Sequence, residues 1–275
     1  NLFNLLFEWY HARTLYHYLG LIIFLEIKTI KEVYNAYKET HDKDDFEKKL
    51  KHWLQDKIKF QEADSKYNLA NLSYQTYKET LTILIIHNVA TYQTSDINYR
   101  FPFNKLKNQK WSIEHIHAQN SKEFKFIRDT KNWISDIKLL TSELDNAIEV
   151  NDQLESLNSE IETFEDAKEI PKNIKRKTKE ISLLLDKKLD THNIKNLCLL
   201  DGITNSILNN SNFRDKRRII LDIDMQGGIL NSNNETEKAF IPISTKNVFL
   251  KYYTKNSEEI KFTFWGHADR RDYED

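Results

Sequence analysis

Five glycines and three prolines are spread over 275 residues, so long stretches of this chain contain nothing that breaks a helix. That scarcity excludes a collagen-like chain and a Gly-rich linker, and leaves few positions for tight hairpins. Apolar residues make up 39% and charged residues 30%, a solvated composition that still holds enough apolar surface to fold. The length suits one large domain or two modest ones. A formal net charge of −1 excludes a chain that is basic throughout, so any polyanion site must be local. The single cysteine, Cys198, cannot build a disulfide framework or a thiolate metal knuckle. No structural zinc is therefore expected, and a reducing cytoplasm is the expected location. The apolar run Gly20–Ile27 falls short of the roughly 18 residues of a membrane span, and it lacks the basic leader and cleavage site of a secretory signal. The expectation is a chain with no membrane partner. Because it opens on Asn1 and holds one methionine, Met225, it is expected to be a fragment of a longer protein.

Apolar periodicity divides the chain. Over residues 1–100, Leu5, Leu6, Trp9 and Tyr10, then Leu15, Leu19, Ile22 and Ile23, recur at helix spacing. Phe46, Leu50, Trp53, Leu54 and Ile58 form a second stripe behind the acidic opening Asp44, Asp45 and Glu47. This part reads as a helical module. Pro102 ends the run, and the segment around Trp111, Ile113 and Ile116 suits a short strand. Residues 121–190 return to helix, with one stripe through Trp133, Ile137, Leu140, Leu144 and Ile148 and a second through Leu154, Leu157, Ile161 and Phe164. Pro171 precedes a further stripe through Ile174, Ile181, Leu184 and Leu185, and the region is expected to be a helical hairpin. Residues 192–200 read as a second strand, followed by a turn and a helix to Gly227-Gly228. The C-terminal subdomain, 226–275, is expected to mix short extended pieces with a terminal helix. The expected fold class is α+β, predominantly helical, with 1–100 as one unit and 101–275 as another.

Chemistry concentrates at the two strands. Glu114 and His115 sit on the first, Asn196 on the second, and Asn205 follows nine positions later at a helix entrance. Strand, strand and helix with an acid–His pair and two asparagines is what a ββα metal finger needs. One-metal phosphodiester hydrolysis requires a base for water, a hard cation at the leaving oxygen and a few fixed oxygen ligands. An imidazole, with an ordinary pKa near ~6.5, is largely neutral at pH 7 and suits the base. Glu and Asn offer oxygen ligands that suit Mg²⁺.

The blocks WSIEHIHAQN, IKNLCLL, a downstream Asn and NFRDKRR, in that order, resemble the C-terminal HNH nuclease region of GmrSD-type modification-dependent restriction endonucleases. The family pattern is an EHI-x-x-Q block, a GNL-x-LL block, an Asn and F-x-x-KR. The tail, with Thr245, Phe249, Lys251 and Tyr253 and then Trp265 and Tyr273, is similar to the family's closing elements. The aromatic opening WYHARTLYHYLG looks like the helical extension of the domain that precedes this nuclease. The resemblance implies a small HNH finger with a long helical-hairpin insertion between its strands. It implies His115 as general base, Asn196 as the asparagine that holds the loop, and Glu114 and Asn205 as ligands of Mg²⁺ or Mn²⁺. Arg214, Lys216, Arg217 and Arg218 would meet the DNA backbone. His117 and His192 could support the base or the ion, although packing or ordinary hydrogen bonding is the default for each. The implied activity is DNA cleavage in restriction of foreign or base-modified DNA, with an upstream NTP-using domain as partner. The sequence leaves oligomerisation open, and it leaves two rivals: a non-catalytic helical docking module with a degenerate finger, and an RNA-directed HNH nuclease.

Overall fold

The computed structural model describes residues 2–59, 69–94, 99–118, 124–142, 144, 146–209, 211–230, 236–237 and 239–274. Helices dominate. Five of them, α1 (Leu2–His11), α2 (Arg13–Phe24), α3 (Ile30–Glu39), α4 (Lys43–Ile58) and α5 (Tyr77–Thr94), fill the first hundred residues. Local chemistry sets their ends. Thr29 and Glu32 form a capping box at α3, and Asp42 accepts from the backbone of Asp45 at the start of α4. The short α6 (Phe103–Asn108) leads into β1 (Trp111–His115). Its ring Phe103 lies where a Cβ on Gly20 would be, so glycine is required for α2 to approach this closely.

β1 pairs antiparallel with β2 (Leu197–Asp201), with Trp111 opposite Asp201 and His115 opposite Leu197. Both faces of this two-stranded sheet are covered. Ile113, Leu197 and Leu199 join Trp9, Ile22, Phe46, Leu50, Leu84 and Val89 in one core. Cys198, Leu200 and Ile116 join Phe213, Ile220, Phe249 and Trp265 in another. Burial on both sides explains why β2 is an unbroken apolar run, Leu-Cys-Leu-Leu, instead of an alternating one. It also means that the N-terminal helices share a core with the strands.

Between the strands lie three helices: α7 (Ile127–Thr141), α8 (Ile148–Ile161) and α9 (Lys172–Lys188). They have a core of their own, in which Trp133, Ile137, Leu140, Leu154, Leu157, Ile161, Ile174, Ile181 and Leu185 meet Phe264. The expected hairpin is thus a three-helix unit, because Pro171 caps the third helix instead of interrupting the second. A bridge between Phe126 and Glu169 closes its neck. After β2 come α10 (Gly202–Leu208) and α11 (Phe213–Gln226), then a small antiparallel pair, β3 (Ile229–Leu230) with β4 (Thr236–Glu237). Ile243–Leu250 forms α12 behind Pro242, and α13 (His267–Glu274), the expected terminal helix, ends the described chain. Among the described residues no helix is long and apolar enough to cross a membrane.

The C-terminal elements clamp β2. Thr245 Oγ1 donates to the carbonyl of Leu199 at 2.6 Å, Tyr273 Oη to that of Leu197 at 3.2 Å, and Trp265 Nε1 to that of Lys195 at 2.9 Å. Lys251, in a left-handed conformation with φ of 62°, buries its ammonium against Asp269 at 2.5 Å and over the rings of Phe213 and Trp265. Asp269 also accepts from Thr254 Oγ1 and from the Gly266 amide. Removing one member of a buried, hydrogen-bonded ion pair strands the other. Asp269→Ala is therefore expected to cost about 3–5 kcal/mol in chemical denaturation. A loss under about 1 kcal/mol, the size typical of an exposed pair, would contradict this clamp.

Candidate active site

Asp201 builds the end of β2 into the start of α10. Its carboxylate accepts from the Ile203 and Thr204 amides, each at 3.0 Å, and from Thr204 Oγ1. Gly202 donates its amide to Lys110 O across the sheet at 2.8 Å. The helix is thereby fixed against β1, and Asn205 Nδ2 donates to Ser112 Oγ at 3.0 Å. Asn212 caps α11 in the same way, accepting from the Asp215 amide.

At the other end of the strand pair, Asn196 is fully buried and uses its whole amide. Nδ2 donates to the carbonyls of His117 at 3.0 Å and Thr191 at 2.9 Å. Oδ1 accepts from the His117 amide at 2.9 Å and from Arg270 Nη2 at 3.1 Å. Two donated and two accepted bonds exhaust a carboxamide. The turn leaving β1, the turn entering β2 and α13 are joined through this one side chain.

Glu114 and His115 point to opposite faces of the strand, as the pleat requires. Glu114 lies opposite Cys198 and receives Lys216 Nζ at 2.5 Å, and the same ammonium donates to the His115 carbonyl at 2.5 Å. Lys216 is 1% exposed. Burial pushes the Glu114 carboxyl above its ordinary value, and the lysine pulls in the opposite direction. On the other face, His115 Nε2 lies 3.2 Å from His192 Nδ1, and the ring of Tyr74 stacks on His115 with centroids 4.8 Å apart. Burial, followed by the nearby His192, Lys216 and Arg270, lowers the His115 pKa to about 4. His115 is neutral at pH 7. His117 lines a cleft of about 530 Å³ together with Trp133, Asp136, Asp186 and Arg214. Burial, then Arg270 and Lys216, lower its pKa to about 3.

Several sequence expectations change here. Lys216 does not face solvent and so cannot meet a DNA backbone. It follows Phe213 by three positions and precedes Ile220 by four, and that spacing puts it on the inward stripe of α11. Arg214 pairs with Asp136 of α7 at 2.9 Å, Arg217 lies over the Phe262 ring, and exposed Arg218 sits 3.6 Å from Asp215. Asn205 is anchored at Ser112, two residues along the strand from Glu114, whose carboxylate is engaged by an ammonium. Among the described residues no group of three or more His, Cys, Asp and Glu side chains could hold a metal ion. With its carboxylate paired to Lys216, Glu114 as placed offers no free charge to a divalent cation. Nor do His115 and Asn205 meet, since Ser112 lies on the opposite face and roughly 10 Å along the strand from His115. Gln119, the last residue of the EHI-x-x-Q block, lies outside the described residues. Neither Tyr74, which comes from the N-terminal module, nor Arg270 carries a local sequence signal.

No protein family, curated protein or solved structure matches the chain.

Neutral, half-buried His117 makes the fold acid-sensitive. The unfolded imidazole takes its proton near pH 6.5 and the folded one near 3, so the unfolded state binds more protons in between. His117 thus contributes stability that is present above pH 6.5 and lost as the pH falls towards 3. His117→Gln is expected to flatten the fall in denaturation midpoint between pH 7 and 4. An unchanged slope would show that His117 is solvated.

Proposed function

We propose that the chain is an HNH-type nuclease that hydrolyses DNA phosphodiester bonds, acting in restriction of foreign or base-modified DNA in the cytoplasm. Its finger is β1, β2 and α10, with the three-helix unit inserted between the strands, and an upstream NTP-using domain is its expected partner. The observation that carries the reading is the placement of neutral His115 at the end of β1, beside a turn braced by Asn196 and followed by a strand and a helix. An antiparallel pair leading into a helix, with an imidazole base at its open end, supports this reading because the base is held at a fixed place.

The residues' part in the reaction follows from their chemistry. His115 takes a proton from water as the water oxygen bonds to phosphorus. The bond from phosphorus to the departing oxygen breaks with its electron pair, and that oxygen takes a proton from solvent. Arg214 and Arg218, exposed on α11, with Arg217 beside them, supply positive charge for the phosphates that flank the cut. Mg²⁺ or Mn²⁺ belongs in the assay because the resemblance implies it, whereas Lys216 already neutralises Glu114. That ion pair, together with the Asn205–Ser112 bond, favours the second reading, a helical docking module whose finger no longer cuts.

A cleavage assay decides between them, run on modified DNA, unmodified DNA and RNA with Mg²⁺ or Mn²⁺ present. Wild-type protein is expected to cut DNA, and His115→Ala to be slower by ~10²–10⁴-fold at unchanged stability. Cleavage by His115→Ala at the wild-type rate contradicts the proposed base. No cleavage of any substrate supports the docking module, and preference for RNA supports the RNA-directed alternative.

A further inference from the structure

The cleft of about 530 Å³ that holds His117 has residues of the three-helix unit and of α11 in its lining, and its volume falls within the roughly 300–1,000 Å³ of sites that take small organic ligands. Its apolar walls come from Phe124, Trp133, Ile137, Leu185 and Phe264, and its uncharged polar groups include His117, Asn132 and Asn212. The charged groups of the lining have partners within the protein. Asp136 pairs with Arg214 at 2.9 Å, Asp215 lies 3.6 Å from Arg218, Asp129 accepts from the Phe126 amide at 3.3 Å, and Lys125 lies over the Phe126 ring. Asp186 departs from this pattern. Its Oδ1 accepts from Thr191 Oγ1 at 3.2 Å, whereas Oδ2, shielded from solvent, has no hydrogen-bond partner among the described residues. Burial raises the Asp186 carboxyl to about 7, against the pull of Thr191 and Arg270, so the group carries its proton for much of the time at neutral pH.

Apolar walls with uncharged hydrogen-bonding groups between them suit a planar, neutral heterocycle better than a phosphate or a metal ion. A protonated carboxyl sets an O–H donor beside a carbonyl acceptor. That pair is the complement of the ring nitrogen and amino group that cytosine and adenine carry side by side on one edge. A buried oxygen without a partner is destabilising, and a ligand that bonds to it removes the penalty. We propose that this cleft is a binding site for one nucleobase of the substrate strand, a cytosine or adenine that has left the base stack, with Asp186 bonded to its amino edge and the apolar walls packed on its ring.

The assignment rests on the nuclease reading above for the strand that delivers the base, whereas affinity for the base itself is a property of the resting protein. Continuity with the proposed site supports it. His117 belongs both to the cleft and to the turn that Asn196 braces, and at most roughly 7 Å of chain separates it from His115. Arg214, assigned above to the flanking phosphates, lines the same cleft. A nucleotide whose base enters here thus keeps its phosphate near the end of β1. Turning a base out of a duplex requires unstacking, so a base without a pairing partner enters most readily.

The test is a titration of histidine-labelled protein, without divalent ions, that follows the ¹H–¹⁵N signals of the His117 ring, assigned by their loss in His117→Gln. Deoxycytidine and deoxyadenosine are expected to shift these signals saturably with Kd on the order of 1 mM, and thymidine to bind about tenfold more weakly or worse. A DNA hairpin with an unpaired cytosine should shift the same signals at lower concentration. Asn132→Trp, which fills the cleft from an exposed position of α7, is expected to weaken nucleoside binding by roughly tenfold or more at an unchanged unfolding temperature. Asp186→Asn, whose carboxamide presents the same donor and acceptor, should bind within about threefold of wild type. A cleft that takes no deoxynucleoside overturns the proposal, as does one that answers equally to thymidine or to inorganic phosphate alone. Shifts with nucleosides but not with the hairpin assign the cleft to a free nucleoside and overturn its link to the strand. Nucleoside binding by a protein that cuts no nucleic acid overturns the nuclease reading and supports the cleft's chemistry, and cleavage by a protein that binds no nucleoside does the reverse.

Discussion

One carboxamide ties the centre of this molecule together. The side chain of Asn196 spends both hydrogens and both acceptor positions on His117, Thr191 and Arg270, out of contact with water. A buried amide with four partners is rigid because each bond lost leaves a desolvated polar group, at about 1–3 kcal/mol for each such group. Its partners belong to the exit of β1, the entrance of β2 and the last helix. The open end of the strand pair, where His115 stands, therefore cannot rearrange without releasing the C-terminal helix as well.

The rest of the fold serves this junction by covering it. Two strands alone are marginal in water, and here each face of the pair is the floor of a different core. The N-terminal helices cover one face and contribute Tyr74 to His115. The C-terminal elements cover the other. Thr245, Phe249, Lys251, Tyr253, Trp265 and Tyr273 act as a clamp. They donate to carbonyls of the β2 region, stack on Phe213, or bury the Lys251–Asp269 pair. Tyr253 reaches back to His87 in α5, with its hydroxyl 3.0 Å from the ring nitrogen, so the two coverings touch.

Helix periodicity made much of this legible. The stripes through Trp133 and Ile137, through Leu154 and Leu157, and through Ile174 and Ile181 are all buried, because an amphipathic face has few places to go but inward. The number of helices in the insertion was not legible, since a proline that starts a helix and one that interrupts a helix leave the same letter in the sequence. Lys216 shows the opposite failure. Its position on the Phe213–Ile220 stripe signalled burial, but its charge suggested solvent, and a carboxylate within the core decided the matter. Asn196 and Asn205 could be picked out by spacing, but which atoms they hold depends on pairings across the chain that no local pattern encodes. Tyr74 is the extreme case: its role depends on a turn more than a hundred residues away.

The central claim is that the Asn196 brace holds the site together, and Asn196→Asp tests it most directly. The substitution keeps shape and size, but it turns two donors into acceptors facing the carbonyls of His117 and Thr191. Thermal unfolding and DNA cleavage measured on the same samples should both suffer, with stability lower by about 2–4 kcal/mol and cleavage abolished. A variant that unfolds at the wild-type temperature and cuts at the wild-type rate would contradict the account, because the junction would then be held by something other than this amide.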